Sequence, residues 1–165
     1  MLAPEQIEAF SRLPVLLKHC QDPWWIIGGA GLLLHGVPVQ LKDVDVLLSE
    51  RDAVALQRRL NLPNVVDRCS DRFRSKIFLK LEAPIPLEFM GDFSVATKEG
   101  WHILVPRTRQ RFCAGHFELW VPDLPEMINI LEMFGRDKDM KKRALALNHL
   151  MASTQQKKAV HPPPF

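Results

Sequence analysis

Two carboxylates, Asp43 and Asp45, stand two positions apart in "LKDVDVLLS", a run that otherwise reads as a buried strand. Side chains alternate between the faces of a strand, so Asp43 and Asp45 are expected on one face and Val44 and Val46 on the other. Like charges that close repel by on the order of a few kcal/mol at an effective dielectric near 20. A raised pKa on one acid, a pair of basic partners or a divalent cation would offset that repulsion. The alternative is that both acids face water at the exposed start of an edge strand, beside Lys42.

Two further features bear on the choice. Gly28 and Gly29 close the apolar run "WWII" and open a helix. Glycine there permits close approach of a phosphate, and a helix start offers free amides and a partial positive charge. It equally permits tight packing of helix on strand. Glu88 lies in "PIPLEFM" between Leu87 and Phe89, where an acid is costly to bury without a partner. Three carboxylates converging from two strands would suit Mg²⁺, a hard cation that prefers oxygen ligands. Asp92, just beyond that run, is the alternative third acid.

The elements that must position these residues follow from periodicity. Residues 4–19 read as a helix, through Ile7, Phe10, Leu13 and Leu17, with Pro14 kinking it. "WWII" reads as a strand, "AGLLLHG" as two turns of helix ended by Gly36, and "VDVLLS" as a second strand. Ser49 is placed to cap the helix "ERDAVALQRRL". Strands are expected at 76–82, 86–90, 101–105 and 116–121. Asp123 then caps a helix holding Met127, Ile130, Leu131 and Phe134 and ended by Gly135, and Asp137 starts another with Met140, Ala144, Leu147 and Leu150. The pattern predicts an α/β core over 1–122, helices packed on it over 123–152, and a flexible tail over 153–165.

Composition sets outer bounds. The chain has 165 residues, 47% hydrophobic and 25% charged, with a net charge of +3. That is enough chain to bury a substantial core, and the charge gives no sign of bulk electrostatic binding to nucleic acid. No apolar run is long enough to span a bilayer, and "MLAPEQIEAF" does not read as a leader. Cys20, Cys69 and Cys113 are odd in number and far apart, which points to reduced thiols in a cytoplasm.

Glycine-glycine after an apolar strand, an apolar-flanked D-x-D and a lone acid in a later strand resemble the nucleotidyltransferase superfamily with the polymerase-beta-like fold. Here "IIGGA", "KDVDVLL" and "LEF" carry the likeness, and "GRDKDMKKRALAL" resembles the R-x-K-D stretch of small bacterial members, including toxin partners of some abortive-infection toxin–antitoxin systems. The resemblance implies a mixed β-sheet flanked by helices, with a C-terminal helical pair. It implies transfer of a nucleoside monophosphate from a nucleotide triphosphate to an acceptor hydroxyl, with release of pyrophosphate. Asp43, Asp45 and Glu88 would be catalytic and would hold Mg²⁺ or Mn²⁺, with Glu88 helping to deprotonate the acceptor. Gly28, Gly29, Lys42 and Lys138 would contact the nucleotide. The acceptor would be a small molecule, a protein or an RNA end, with no membrane involved and with room for a partner protein.

The chain also departs from the family pattern. Val39 and Leu41 stand where relatives often carry a basic residue and a hydroxyl, Ala30 follows the second glycine, and Lys142 replaces an acid often found after K-D. These departures leave open a degenerate, non-catalytic module that binds nucleotide or a partner. Strand alternation would put Lys42 on the face opposite Asp43. Among the other polar residues, "PRTRQR" at 106–111 is a basic loop, His35 a core histidine, and Trp24 and Trp25 core residues.

Overall fold

The structure is a computed structural model that describes residues 2–66, 70–114 and 116–160. Its centre is a four-stranded mixed sheet in the order β1 (Trp25–Ile27), β2 (Val44–Leu48), β5 (Leu87–Gly91), β4 (Ile77–Leu81). β2 and β5 run parallel, and both outer pairs are antiparallel. Val44, Val46, Leu79, Leu87 and Phe89 are completely buried on one face. That face explains the continuous apolar reading of these strands, and α3 (Glu50–Leu60) packs against β4 and β5.

The helix signals hold. α1 (Pro4–Leu16) stops short of the expected residue 19, two residues after Pro14, whose missing amide removes the bond to the Phe10 carbonyl. α2 (Gly28–Leu34) follows β1 without a loop residue. Ser49 caps α3 by accepting from the Asp52 amide, and Asp123 caps α4 (Leu124–Phe134) by accepting from the Glu126 amide. Gly135 ends α4 in the left-handed conformation. Met127, Ile130, Leu131 and Phe134 of α4 and Ala146 of α5 (Asp137–Val160) are buried in the same apolar cluster as the sheet. The C-terminal helices therefore complete one core.

Several expectations need correction. α5 runs on to Val160, beyond the expected start of a tail at 153, because no glycine or proline interrupts "ASTQQKKAV" and its Ala, Gln and Lys are good helix formers. The rest of that tail, 161–165, lies outside the described residues. Three short strands were not legible: β3 (Phe73–Arg74), β6 (Ser94–Thr97) and β8 (Gln110–Ala114). β3 and β6 form a small sheet with β7 (Gly100–Ile103), and β8 pairs with β9 (Phe117–Val121). Part of the basic loop is thus strand, and two of its three arginine side chains as well as its backbone are engaged. Arg109 lies over the Trp120 ring at 3.9 Å, Arg111 pairs with Glu118 at 3.0 Å, and Glu126 accepts from the Arg107 and Thr108 amides at 2.7 Å.

The packing residues behave as read. His35 Nε2 meets the Pro122 carbonyl at 2.8 Å, and burial pulls its pKa down. Trp25 is buried and donates its indole N–H to the Thr108 carbonyl at 2.9 Å. Cys20 and Cys113 are free thiols, and burial pushes Cys20 up to about 11, so it stays an unreactive thiol. Cys69 lies outside the described residues. Among the described residues no helix is long and apolar enough to cross a membrane.

Candidate active site: a carboxylate and lysine cleft

The register of the sheet builds the site. Asp45 on β2 is the direct partner of Glu88 on β5, and Glu88 is the partner of Lys80 on β4. Laterally paired residues point to the same face, so Asp45 and Glu88 stand side by side on strands about 4.8 Å apart. Asp43 lies one residue before β2 begins. It is not held by strand alternation, yet it lines the same cleft as Asp45 and Glu88. Lys42 lines it too, which corrects the expectation that it faces away: the chain from Val37 to Asp43 is not strand, so no alternation applies to it.

The cleft has a volume of about 360 Å³ and takes walls from three further places. Gly28 and Gly29 form one wall, set beside Asp45 because Ile27, the last residue of β1, is the register partner of Asp45. Gly28 has φ +63°, and a Cβ there would stand 2.7 Å from Asp45 Oδ2, so both conformation and space demand glycine. Lys142 Nζ would stand 3.3 Å from a Cβ on Gly29, which puts its ammonium directly over the start of α2. Lys138, Asp139 and Lys142 reach the cleft together because the first turns of α5 present positions three and four apart on one side. Asp139 is buried to 1% exposure and holds Arg136 at 2.6 and 2.9 Å through two hydrogen bonds. An aromatic wall of Phe73, Phe78, Phe93 and Phe134 closes the far side.

Electrostatics separate this cluster from surface charge. Burial, then the charges of Asp43 and Glu88, push Asp45 up to about 7, while Lys142 and Lys138 pull the other way. Burial and then Asp43 raise the Glu88 carboxyl. Among the described residues no ion pair engages Asp43, Asp45 or Glu88; Lys80, which faces Glu88, turns to Glu82 at 3.4 Å. Asp92, the alternative third acid, is spent elsewhere, pairing with Lys76 at 3.0 Å and accepting from the Glu50 amide.

The uncompensated set of hard oxygen donors has the chemistry of a site for a divalent cation. It is not a closed one: among the described residues no group of three His, Cys, Asp or Glu side chains is drawn together tightly enough to hold a metal. The three acids share the cleft, and the Asp45 and Glu88 carboxyls stand within hydrogen-bonding reach of each other, which the raised proton affinity of both allows.

Sequence reading missed Lys142 as a cleft residue, having registered it only as a lost acid. Its four-residue spacing from Lys138 was the available signal. The aromatic wall gave none, since Phe73 and Phe93 meet through tertiary packing, with ring centroids 5.5 Å apart.

No protein-family model and no curated protein matches the chain. Solved structures do. A Thermotoga maritima protein described as a candidate nucleotidyltransferase superposes with a TM-score of 0.71 at 22% identity, over 90% of this chain and 96% of that one. ANT(2")-Ia, solved in complex with adenylyl-2"-tobramycin, gives 0.56 at 16% identity, over 90% and 91%. The lincosamide antibiotic adenylyltransferase LnuA, solved with lincomycin bound, gives 0.55 at 11%, over 88% and 96%. The chain has the nucleotidyltransferase fold.

Proposed function

We propose that the protein is a divalent-metal-dependent nucleotidyltransferase that moves a nucleoside monophosphate, in the first instance adenylate, onto the hydroxyl of a small molecule. The observation that carries this reading is the lateral pairing of Asp45 with Glu88 in one cleft with Asp43, the Gly28-Gly29 turn and three lysines. The shared fold with two adenylyltransferases of antibiotics supports adenylate as the group and a small acceptor as its destination. The likeness to toxin partners has no counterpart among these neighbours.

Each residue then has a task. The amides at Gly28-Gly29 and the ammonium groups of Lys42, Lys138 and Lys142 bind and orient the triphosphate. Asp43, Asp45 and Glu88 are the residues that would hold Mg²⁺ or Mn²⁺, which supplies charge neutralisation at the phosphates when bound. Glu88, its proton affinity raised, takes the proton from the acceptor hydroxyl. The acceptor oxygen bonds to the α-phosphorus, the bond from that phosphorus to the β-phosphate's bridging oxygen breaks, and pyrophosphate leaves toward the lysines.

Binding of α,β-methylene-ATP with Mg²⁺ and with EDTA tests the reading, followed by pyrophosphate release from ATP. Metal should tighten binding by about tenfold or more, about 1.4 kcal/mol. Asp45→Asn should remove that enhancement. Absence of any triphosphate binding would sink the proposal. The second reading, a binding module without turnover, is favoured by Lys142 standing where relatives often carry an acid; it predicts tight nucleotide binding and no pyrophosphate under any acceptor.

A further inference from the structure

A second recess of about 210 Å³ opens beside the cleft and shares Phe73, Phe78, Met90 and Phe93 with it. Phe78 and Met90 are register partners on β4 and β5, two residues along the strands from Lys80 and Glu88 and on the same face. Phe93 stacks on Phe73 with the rings inclined by 27°. The one charged side chain among the described residues lining this recess is Arg74, a cation, which lies 3.7 Å over the Trp101 ring.

The order of strands decides what the recess is for. Displacement at phosphorus places the attacking and leaving oxygens roughly in line. The leaving pyrophosphate belongs at the Gly28-Gly29 and Lys142 end, beside β1. The α-phosphorus belongs at Asp45 on β2 and at Asp43 just before it. The line continues across Glu88 on β5 to Lys80 on β4, and Phe78 and Met90 flank it two residues along these strands on the same face. An acceptor that gives its proton to Glu88 has the aromatic recess directly beside it to receive its body.

We propose that the recess bounded by Phe73, Phe78, Met90 and Phe93 is the acceptor subsite, and that it takes a neutral or anionic small molecule with an apolar, ring-bearing body and a free hydroxyl. This rests on the nucleotidyl-transfer reading. Ring faces and a thioether reward apolar and aromatic surface. A polycationic acceptor meets the positive charge of Arg74 at this recess. The acceptor hydroxyl projects out of the recess to Glu88, bonds to the α-phosphorus as its proton passes to that carboxylate, and pyrophosphate departs at the opposite end.

The test uses the full chain, with 2-naphthol as the apolar hydroxyl probe, kanamycin as the polycation, and α,β-methylene-ATP with Mg²⁺ as the triphosphate. 2-Naphthol should bind the wild type with magnetisation transfer to the ring protons of Phe78 and Phe93, and kanamycin should bind at least about tenfold more weakly, a difference of about 1.4 kcal/mol. Phe78→Ser should weaken 2-naphthol by at least about fivefold while triphosphate affinity stays within about twofold. The wild-type transfer measurement decides the matter if Phe78→Ser fails to fold. Absence of transfer to these rings, or preference for kanamycin, overturns the proposal. Loss of triphosphate affinity in step with 2-naphthol in Phe78→Ser also overturns it, because the recess would then hold the nucleobase. Failure of the wild type to bind triphosphate, with 2-naphthol still on the rings, rejects nucleotidyl transfer itself and with it the name of acceptor.

Discussion

Asp45 is where the fold and the proposed chemistry oppose each other. Its carboxyl titrates near 3.8 when unfolded and is pushed up to about 7 in the folded chain by burial and by Asp43 and Glu88. Between those values the unfolded chain releases a proton that the folded one keeps, so the apo protein loses stability as pH rises from about 4 to about 7 and levels off above. Three pH units at about 1.4 kcal/mol each set a ceiling on the order of 4 kcal/mol. Asp45→Asn should match wild type at pH 4 and exceed its unfolding free energy by about 1 to 3 kcal/mol at pH 8, as read by urea unfolding in EDTA. A mutant less stable than wild type at pH 8 would mean that Asp45 is held by a basic partner. Lys142 gives the complementary case at the same scale. Its ammonium opposes the charge of Asp45 and lies over the Gly29 backbone. Lys142→Ala should weaken triphosphate binding by about tenfold, and Lys142→Glu by more, because a second anion beside Asp45 adds repulsion. Calorimetric titration of the two variants checks the order.

Among the elements, α5 carries cleft residues in its first two turns and depends on the Arg136–Asp139 pair to set its start. Asp139 is almost completely buried and accepts from the Arg136 amide at 3.3 Å as well as from its guanidinium. Arg136 in turn lies 4.7 Å over the Phe73 ring, so a single pair ties the lysine side of the cleft to its aromatic wall. Asp139→Ala leaves a guanidinium without its partner and frees the first turn of α5. It should cost about 2 to 4 kcal/mol of stability and weaken triphosphate binding through Lys138 and Lys142. Asp139→Asn should recover part of both, since an amide oxygen still accepts one hydrogen bond. Thermal unfolding with nucleotide titration measures the pair of effects. If Asp139→Ala unfolds like wild type, the ion pair is only a surface contact.

For the whole molecule, legibility in the sequence follows the range of the interaction. β1, β2, α3 and α4 were readable because caps and periodicity are local, and Asp45 and Glu88 were readable because acids in apolar runs need a reason. Their convergence was expected through the family resemblance and not through any local pattern, since it depends on a parallel pairing between residues far apart in the chain. The aromatic wall was silent because β3 is two residues long and held by the Arg72 guanidinium on the Phe134 carbonyl, 2.8 Å apart. The expected division at residue 122 and the expected tail at 153 make opposite predictions that truncation can test. Cutting after 122 removes Met127, Ile130, Leu131 and Phe134, each at most 5% exposed, along with the rest of α4 and α5. At about 2 kcal/mol for each buried apolar side chain the four alone contribute about 8 kcal/mol, comparable to the entire stability of a typical domain. The 1–122 fragment should therefore lack a cooperative unfolding transition and bind anilinonaphthalene sulfonate. Cutting after 153 removes a stretch in which Thr154, Gln155 and Gln156 are exposed, although it is helical. That truncation should shift stability by no more than about 0.5 kcal/mol, the usual range for surface changes. A cooperative 1–122 fragment would restore the two-part division. A large loss from the shorter cut would show that the last turns of α5 pack on the core despite their exposure.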